Sequence, residues 1–145
     1  MTSRGRVLAL DVGERRIGVA ICDPSWLLAS PYTTLQATPE AVFYKKLQHI
    51  VAVEDIVQLV VGLPVSLNGH EGPQAQRIRH FIDALMVHIH IPIATCDERY
   101  TSAAAERLMI EAGMRPEQRK ARIDEVAASI ILQDWIDAQR NQLNA

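Results

Sequence analysis

The sequence predicts an α/β fold in which a mixed five-stranded sheet carries helices on its faces. Residues 7–10 and 17–21 are short apolar runs separated by a charged, glycine-containing turn, which predicts a buried antiparallel hairpin. Farther along, two β-branched runs alternate with segments of helical periodicity, a pattern typical of strands added in parallel by helical crossovers. The predicted order is three antiparallel strands, then α, β, α, β, α and α, with the later strands parallel to the first.

The third strand is predicted over residues 27–35. It contains Pro31, and because proline cannot donate to a strand ladder, this strand is expected at an edge of the sheet. Thr38 and Pro39 follow, and they suit the N-cap and the first position of a helix. The first half of the chain is therefore predicted to be a three-stranded meander that leads into a helix.

The two parallel strands are predicted from compact apolar runs. Residues 56–61 form a β-branched run that is typical of a central strand, and it feeds a loop over residues 62–72. Residues 91–95 form the fifth strand, which ends in Asp97 and Glu98. Ligands of such sheets bind beyond the carboxyl ends of the strands, so a binding site is expected at the loops that follow these two strands.

The remaining helices are predicted from start and stop signals. Pro73 suits the first position of the second helix, and an apolar stripe follows it. The third helix is predicted over residues 102–112 and is stopped by Gly113. The fourth is expected from about residue 123 to residue 139, where the inward-facing apolar residues begin.

Composition limits the class of protein. At 145 residues and 48% hydrophobic content, the chain is expected to be one domain spanning residues 1–145. It has no apolar run near the ~20 residues that a membrane span requires, and its Cys22 and Cys96 form no C-x-x-C pair, so a cytoplasmic protein without membrane contact is expected. The net charge of −2 argues against general nucleic-acid binding but leaves a local basic face open.

Acidic residues from distant parts of the sequence are predicted to meet at one edge of the sheet. Asp11 ends the first strand, Asp97 and Glu98 follow the fifth, and Asp124 lies near the start of the last helix. Hard oxygen ligands gathered in this way suit Mg²⁺ or Mn²⁺ in a nuclease, and a bound cation would offset their mutual repulsion. Plainer interpretations stay open: a turn for Asp11, a surface ion pair for Glu98, and a helix N-terminal acid favoured by the dipole for Asp124.

Cationic and polar residues flank this predicted cluster. A phosphate track is one interpretation, because each such contact adds affinity that is independent of sequence. Solvated surface charges, a plain turn-rich loop and a helix N-cap are the alternatives. The candidate nucleic-acid-binding residues are Arg15, Arg16, Asn68, Arg99, Thr101, Arg119, Lys120 and Arg122.

Four motifs, in order along the chain, resemble those of the YqgF family, which is also called RuvX. They are LALDVGERRIGVAICD, VVGLPVSLNGHEG, CDERYTSAAAE and IDEVAASIILQDW, and together they span nearly the whole chain. The resemblance implies a ribonuclease H-like fold related to RuvC-type Holliday junction resolvases. It also implies a bacterial, cytoplasmic nuclease of precursor ribosomal RNA or of Holliday junctions.

The resemblance also implies roles for individual residues. The metal-binding and catalytic acids would be Asp11, Glu98 and Asp124, which would hold Mg²⁺ or Mn²⁺ for attack by water on a phosphodiester. RuvC carries a further acid on its last helix where this chain has Ala127, so a two-metal mechanism would need Asp97 or Glu125 as a substitute.

Several functions remain compatible with the sequence. The favoured one is a metal-dependent endonuclease that processes the ends of precursor small-subunit ribosomal RNA; a Holliday junction resolvase and a non-catalytic ribosome-maturation factor are the alternatives. A nucleotide-binding domain of the sugar-kinase type is the weakest, because that fold needs a second domain. The expected partners are nucleic acid and the ribosome, and the sequence is compatible with a monomer or a homodimer.

Overall fold

The computed structural model describes residues 5–64, 71–98 and 101–143; the predicted site residues Asn68 and Arg99 lie outside these ranges. The strands are β1 (Arg6–Val12), β2 (Arg16–Cys22), β3 (Ala29–Gln36), β4 (Ile56–Leu63) and β5 (Ile93–Asp97). The helices are α1 (Glu40–Val53), α2 (Pro73–His88), α3 (Thr101–Glu111) and α4 (Pro116–Leu143). None of the helices in the described part of the chain is long and apolar enough to cross a membrane.

The five strands form one mixed sheet in the order β3-β2-β1-β4-β5. β1 pairs antiparallel with β2, and β2 with β3. β4 is parallel to β1, and β5 is parallel to β4. The predicted mixed sheet is therefore confirmed, and Pro31 lies on an edge strand as predicted.

Helices cover both faces of this sheet. Leu8 and Leu10 of β1 point to the face that packs against α1 and α2, whereas Val7 and Ala9 point to the face that packs against α4. Side chains alternate along a strand, so Asp11 falls on the same face as Val7 and Ala9. The fold thus directs the carboxylate of β1 toward α4.

The last helix begins earlier than predicted, and this changes the place of one site residue. α4 starts at Pro116 rather than near residue 123. The prediction missed the first two turns because residues 116–122 are mostly polar and lack the apolar periodicity that reveals a helix. Asp124 is therefore in the third turn of a long helix. The interpretation of Asp124 as an acid at the helix N-terminus was wrong.

Smaller corrections concern other element ends. Helix α1 starts at Glu40, with Pro39 rather than Thr38 at the N-cap position and no side-chain cap. Thr101 is the first residue of helix α3, so it does not occupy the N-cap position, which precedes the helix. β5 runs two residues later than predicted because its apolar start, around Ile91, lies outside the ladder with β4.

Candidate functional site

Asp11 lies near the end of a fully buried strand segment. The residues Leu8, Ala9 and Leu10 that precede it have no exposed surface, so the carboxylate is carried by one of the most rigid parts of the sheet. Val12 follows it in β1, and the strand then turns through Gly13, whose N–H donates to the Arg16 carbonyl at 2.9 Å. The Asp11 side chain is itself largely buried beneath α4.

Glu98 reaches the same place from β5 across β4. Its backbone N–H donates to the carbonyl of Leu63 at 3.0 Å, which fixes the residue at the end of the β4–β5 ladder. Gly62 makes room for its side chain, because a Cβ on Gly62 would overlap Oε2 of Glu98. A glycine inside a strand commonly marks such a close approach.

The carboxyl groups of Asp11 and Glu98 interact directly. Burial, followed by repulsion from Asp11 and a hydrogen bond with it, together raise the pKa of Glu98 to about 8. The pKa of Asp11 is raised to about 6, mainly by burial; the hydrogen bond with Glu98 lowers it, and repulsion from Asp124 raises it. The pair therefore holds a proton near neutral pH.

The Asp11–Glu98 pair contains a buried oxygen that a cation or a hydrogen-bond donor could bind. When both carboxyl groups are ionised, neither can donate a hydrogen bond to the other, and in the described chain the buried Oε2 of Glu98 has no other hydrogen-bond partner. An orphaned buried oxygen of this kind costs about 1–3 kcal/mol, and more when it is charged. A divalent cation would satisfy it, so the donor chemistry of the pair fits a metal.

Asp124 comes from α4, which lies unusually close to β2. The contact depends on Gly18, because a Cβ at this position would overlap the Asp124 carbonyl oxygen. Small residues at Ala20 and Ala128 line the same interface. The close packing at Gly18 brings Asp124 within electrostatic range of Asp11, and no local sequence pattern indicates this contact.

Arg16 binds the third acid. Its Nε lies 3.1 Å from Oδ2 of Asp124, and about half of the Arg16 side chain is exposed. Among residues 5–64, 71–98 and 101–143, no group of three histidine, cysteine, aspartate or glutamate side chains is arranged to hold a metal ion. The structure thus brings Asp11 and Glu98 into direct contact, while Asp124 is engaged by arginine.

A surface cavity of about 550 Å³ lies beside Asp124. Arg15 and Arg16 contribute to it from the hairpin turn, and Gln36 contributes from β3. Arg15 and Arg16 therefore lie beside Asp124, one of the three predicted acids, in a cavity that Glu14 also lines.

The other residues predicted to bind nucleic acid differ in how far their side chains are exposed or already bound within the protein. Arg119 is bound internally, to Oε1 of Glu106 at 3.2 Å and to the Met114 carbonyl at 2.8 Å. Lys120 and Arg122 are exposed on α4, and Arg122 lies 3.7 Å from Glu125. The remaining polar candidate, at the start of α3, is Thr101, which is 7% exposed and so offers little surface to a phosphate.

The structure also gives the positions of Ala127 and of Asp97 and Glu125, the two possible substitutes for a fourth acid. Ala127 is 1% exposed, so this position presents a methyl group to the protein interior. Glu125 pairs with Arg122, and Asp97 is exposed at the end of β5. Neither side chain is part of the Asp11–Glu98 pair.

Comparison with solved structures identifies the class of fold. The Thermus thermophilus RuvC in complex with a Holliday junction substrate matches with a TM-score of 0.58 and 14% identity, over 94% of this chain and 96% of that one. The fowlpox virus Holliday junction resolvase matches with a TM-score of 0.54 and 12% identity, over 92% and 99%. At these identities the likeness shows the fold, which is the ribonuclease H-like fold of RuvC-type nucleases.

Sequence comparison then gives the family. The RuvX family model, described as Holliday junction resolvase, matches residues 5–138. The "Putative pre-16S rRNA nuclease" of Roseiflexus sp. (strain RS-1) is 56% identical over 136 residues, covering 94% of this chain and 96% of that protein. The protein of the same name from Chloroflexus aggregans is 47% identical over 135 residues, covering 93% and 95%. The chain belongs to the RuvX family, a family of nucleases, which hydrolyse phosphodiester bonds.

Proposed function

We propose that this protein is a divalent-metal-dependent endonuclease that trims the ends of precursor small-subunit ribosomal RNA in the cytoplasm. The observation that carries the proposal is the buried pair of Asp11 and Glu98, with Asp124 close enough to raise the pKa of Asp11. A buried acidic pair without a cation is costly, so its presence at the end of the sheet favours a metal-binding role. The names of the 56% and 47% identical relatives favour ribosomal RNA as the substrate.

Three acids would hold the metal in this proposal. Asp11 and Glu98 are already adjacent, and Asp124 would join them after leaving Arg16. When bound, Mg²⁺ or Mn²⁺ supplies an activated water and neutralises charge that develops on the phosphodiester. The family resemblance suggested these three residues, and the packing of Gly18 and Gly62 supplies an independent structural reason for their convergence.

The chain's own residues perform the remaining steps. Asp11 and Glu98 would both be ionised when they hold the cation, so the proton that they share would pass to solvent. Arg15 and Arg16 hold a phosphate in the cavity beside Asp124. When Arg16 turns toward the substrate, it releases Asp124 toward the other two acids.

Cleavage of two labelled substrates tests the proposal. The first substrate is precursor ribosomal RNA with its flanking leader, and the second is a four-way DNA junction, each with Mg²⁺ or Mn²⁺. Wild type is compared with Asp11→Asn and with Asp83→Asn, a control at an exposed position on α2. We expect RNA cleavage that requires metal, persists in Asp83→Asn and disappears in Asp11→Asn.

Two other outcomes would redirect the assignment. Cleavage of the junction alone would support a resolvase, which the RuvX match and the RuvC-like fold favour as the second candidate, and a homodimer would then be expected for paired cuts. RNA binding without cutting, equal in wild type and Asp11→Asn, would overturn catalysis. It would favour a maturation factor, a candidate supported by the buried Ala127.

A further inference from the structure

A second surface with nucleic-acid-binding chemistry lies on the other side of β3. A groove of about 390 Å³ runs between β3 and α1, and we call it the β3 groove. Leu35 and Ile50, each 7% exposed, contribute an apolar floor. The remaining lining residues that matter here are Tyr32, Lys45, Lys46 and His49.

The charged side chains that line the β3 groove are lysines. Lys45, Lys46 and His49 are exposed on α1, and in the described part of the chain the one carboxylate that contacts a lining residue is that of Glu54, which accepts a hydrogen bond from Tyr32. Lys45 and His49 are four residues apart, so they lie on the same side of the helix. The two lysines therefore give the groove a rim whose charge is complementary to a polyanion.

The groove also contains an exposed aromatic ring. Tyr32 is 38% exposed, and its hydroxyl donates to Oε1 of Glu54 at 3.2 Å. This hydrogen bond links the ring to the end of α1 and leaves part of the ring open to solvent. An exposed aromatic ring beside lysines is the combination with which proteins bind single-stranded nucleic acid, since bases stack on the ring and phosphates contact the cations.

Strand β3 contributes to both the β3 groove and the cavity beside Asp124. Gln36, the last residue of β3, lines that cavity, and Tyr32, which lines the groove, lies four residues earlier on the same strand. At about 3.3 Å per residue the two are separated by about 13 Å. The groove is on the α1 face of the sheet, where Leu35 and Ile50 pack, and the cavity is beside α4, so a strand bound at both would pass over the outer edge of β3.

We propose that the β3 groove binds a single strand of nucleic acid that extends from the substrate held at the acidic site. Lys45, Lys46 and His49 contact its phosphates, and Tyr32 stacks on a base. The direction of the strand rests on the proposed nuclease function. Binding in the groove does not rest on that function, because it requires neither metal nor cleavage.

Binding measurements without metal test the groove separately from catalysis. A fluorescein-labelled single-stranded RNA is titrated in EDTA and followed by fluorescence anisotropy over a range of salt concentrations. Lys45→Gln/Lys46→Gln is compared with wild type and with the charge-matched control Arg77→Gln/Arg107→Gln, which alters exposed positions on α2 and α3. Glutamine keeps helix propensity close to that of lysine.

The expected result separates groove from control. The groove variant binds about tenfold more weakly at low salt, and its slope of log K against log salt is smaller by about 1.4, or 0.7 for each lost phosphate contact. The control stays within about twofold of wild type. Equal affinity of the two double variants would overturn the proposal.

Tyr32 provides a test that does not depend on charge. Tyr32→Ala is expected to weaken RNA binding by about fivefold or more, whereas Tyr32→Phe keeps the ring and retains most of the affinity. Thermal unfolding confirms that each variant is folded. Equal weakening in Tyr32→Phe and Tyr32→Ala would overturn stacking. A monomer–dimer change in sedimentation of the groove variants, with RNA binding intact, would assign the groove to a second copy of the chain instead.

Discussion

The two faces of the sheet differ in the size of the side chains that cover them. The face against α1 and α2 is filled by large residues such as Leu8, Phe43 and Leu47. The face against α4 is lined in its middle by small ones, including Ala20 and Ala128. Large interlocking side chains hold two layers apart, whereas small ones let a helix backbone approach the sheet.

The two faces also differ in role: one holds most of the stabilising core, and the other holds the candidate acids. The α1/α2 face buries most of the large apolar side chains and carries none of the three candidate acids. The α4 face receives Asp11 from the sheet, Glu98 from its edge and Asp124 from the helix. We infer that the close approach of α4 at Gly18 serves the acids as much as the core.

Asp11→Asn should have the largest effect on activity. It removes the charge of a proposed metal ligand while keeping its shape, so single-turnover cleavage should fall at least about a thousandfold, equivalent to about 4 kcal/mol. The metal-free variant should melt at a higher temperature than wild type, because the repulsion within the buried pair is gone. A variant that cuts as well as wild type would remove Asp11 from the site.

Much of this arrangement could be predicted from the sequence, and the rest had specific obstacles. Apolar runs and strand-end residues predicted the mixed sheet and the place of Asp11. The α4 start was missed because residues 116–122 are polar. The ion pair of Arg16 with Asp124 joins residues far apart in sequence, and no local pattern reveals it.

The glycines show the same limit more sharply. Gly18 follows the turn of the predicted hairpin, and its close neighbour is the backbone of α4. Gly62 was placed in the loop over residues 62–72, yet it lies inside β4 and accommodates Glu98. Sequence indicates that a close approach exists, but only the packing identifies the partner.

Gly18→Ala should impair the site through α4. The added Cβ overlaps the Asp124 carbonyl oxygen, so the helix must shift; a misplacement of about 1 Å can lower the cleavage rate about a hundredfold. The free energy of unfolding should fall by about 1–3 kcal/mol. Gly72→Ala is the control, because no atom lies within 4 Å of its added Cβ. A cleavage rate for Gly18→Ala equal to that of Gly72→Ala would contradict the role of this contact.

Leucine truncations on the two faces should separate the two functions directly. Leu47 on α1 and Leu132 on α4 are both fully buried, so each change to alanine should cost about 2–5 kcal/mol of unfolding free energy in denaturant titrations. Below the melting temperature, cleavage per folded molecule should fall several-fold in Leu132→Ala only, since that cavity lies under the helix that carries Asp124. Similar rates in both variants would show that the α4 face tolerates repacking as well as the other face.

The pH dependence of stability should reveal the acidic pair itself. In the metal-free protein, the pKa values of Asp11 and Glu98 are raised to about 6 and about 8, from 3.8 and 4.5. Between about pH 4 and pH 8 the folded state therefore holds more protons than the unfolded state. The free energy of unfolding should decrease as pH rises through this window, by at most about 1.4 kcal/mol per pH unit for each proton.

The difference between wild type and Asp11→Asn reports the contribution of Asp11 and of its repulsion on Glu98, because the two proteins share every titrating group except Asp11. The melting temperature of wild type should fall by several degrees more than that of Asp11→Asn between pH 5 and pH 8 in EDTA. Below about pH 4, where both acids are protonated in both states, the two curves should run parallel. Curves that remain parallel up to pH 8 would mean that Asp11 and Glu98 ionise independently, and the α4 face would then hold a solvated group of acids rather than a buried pair that requires a cation.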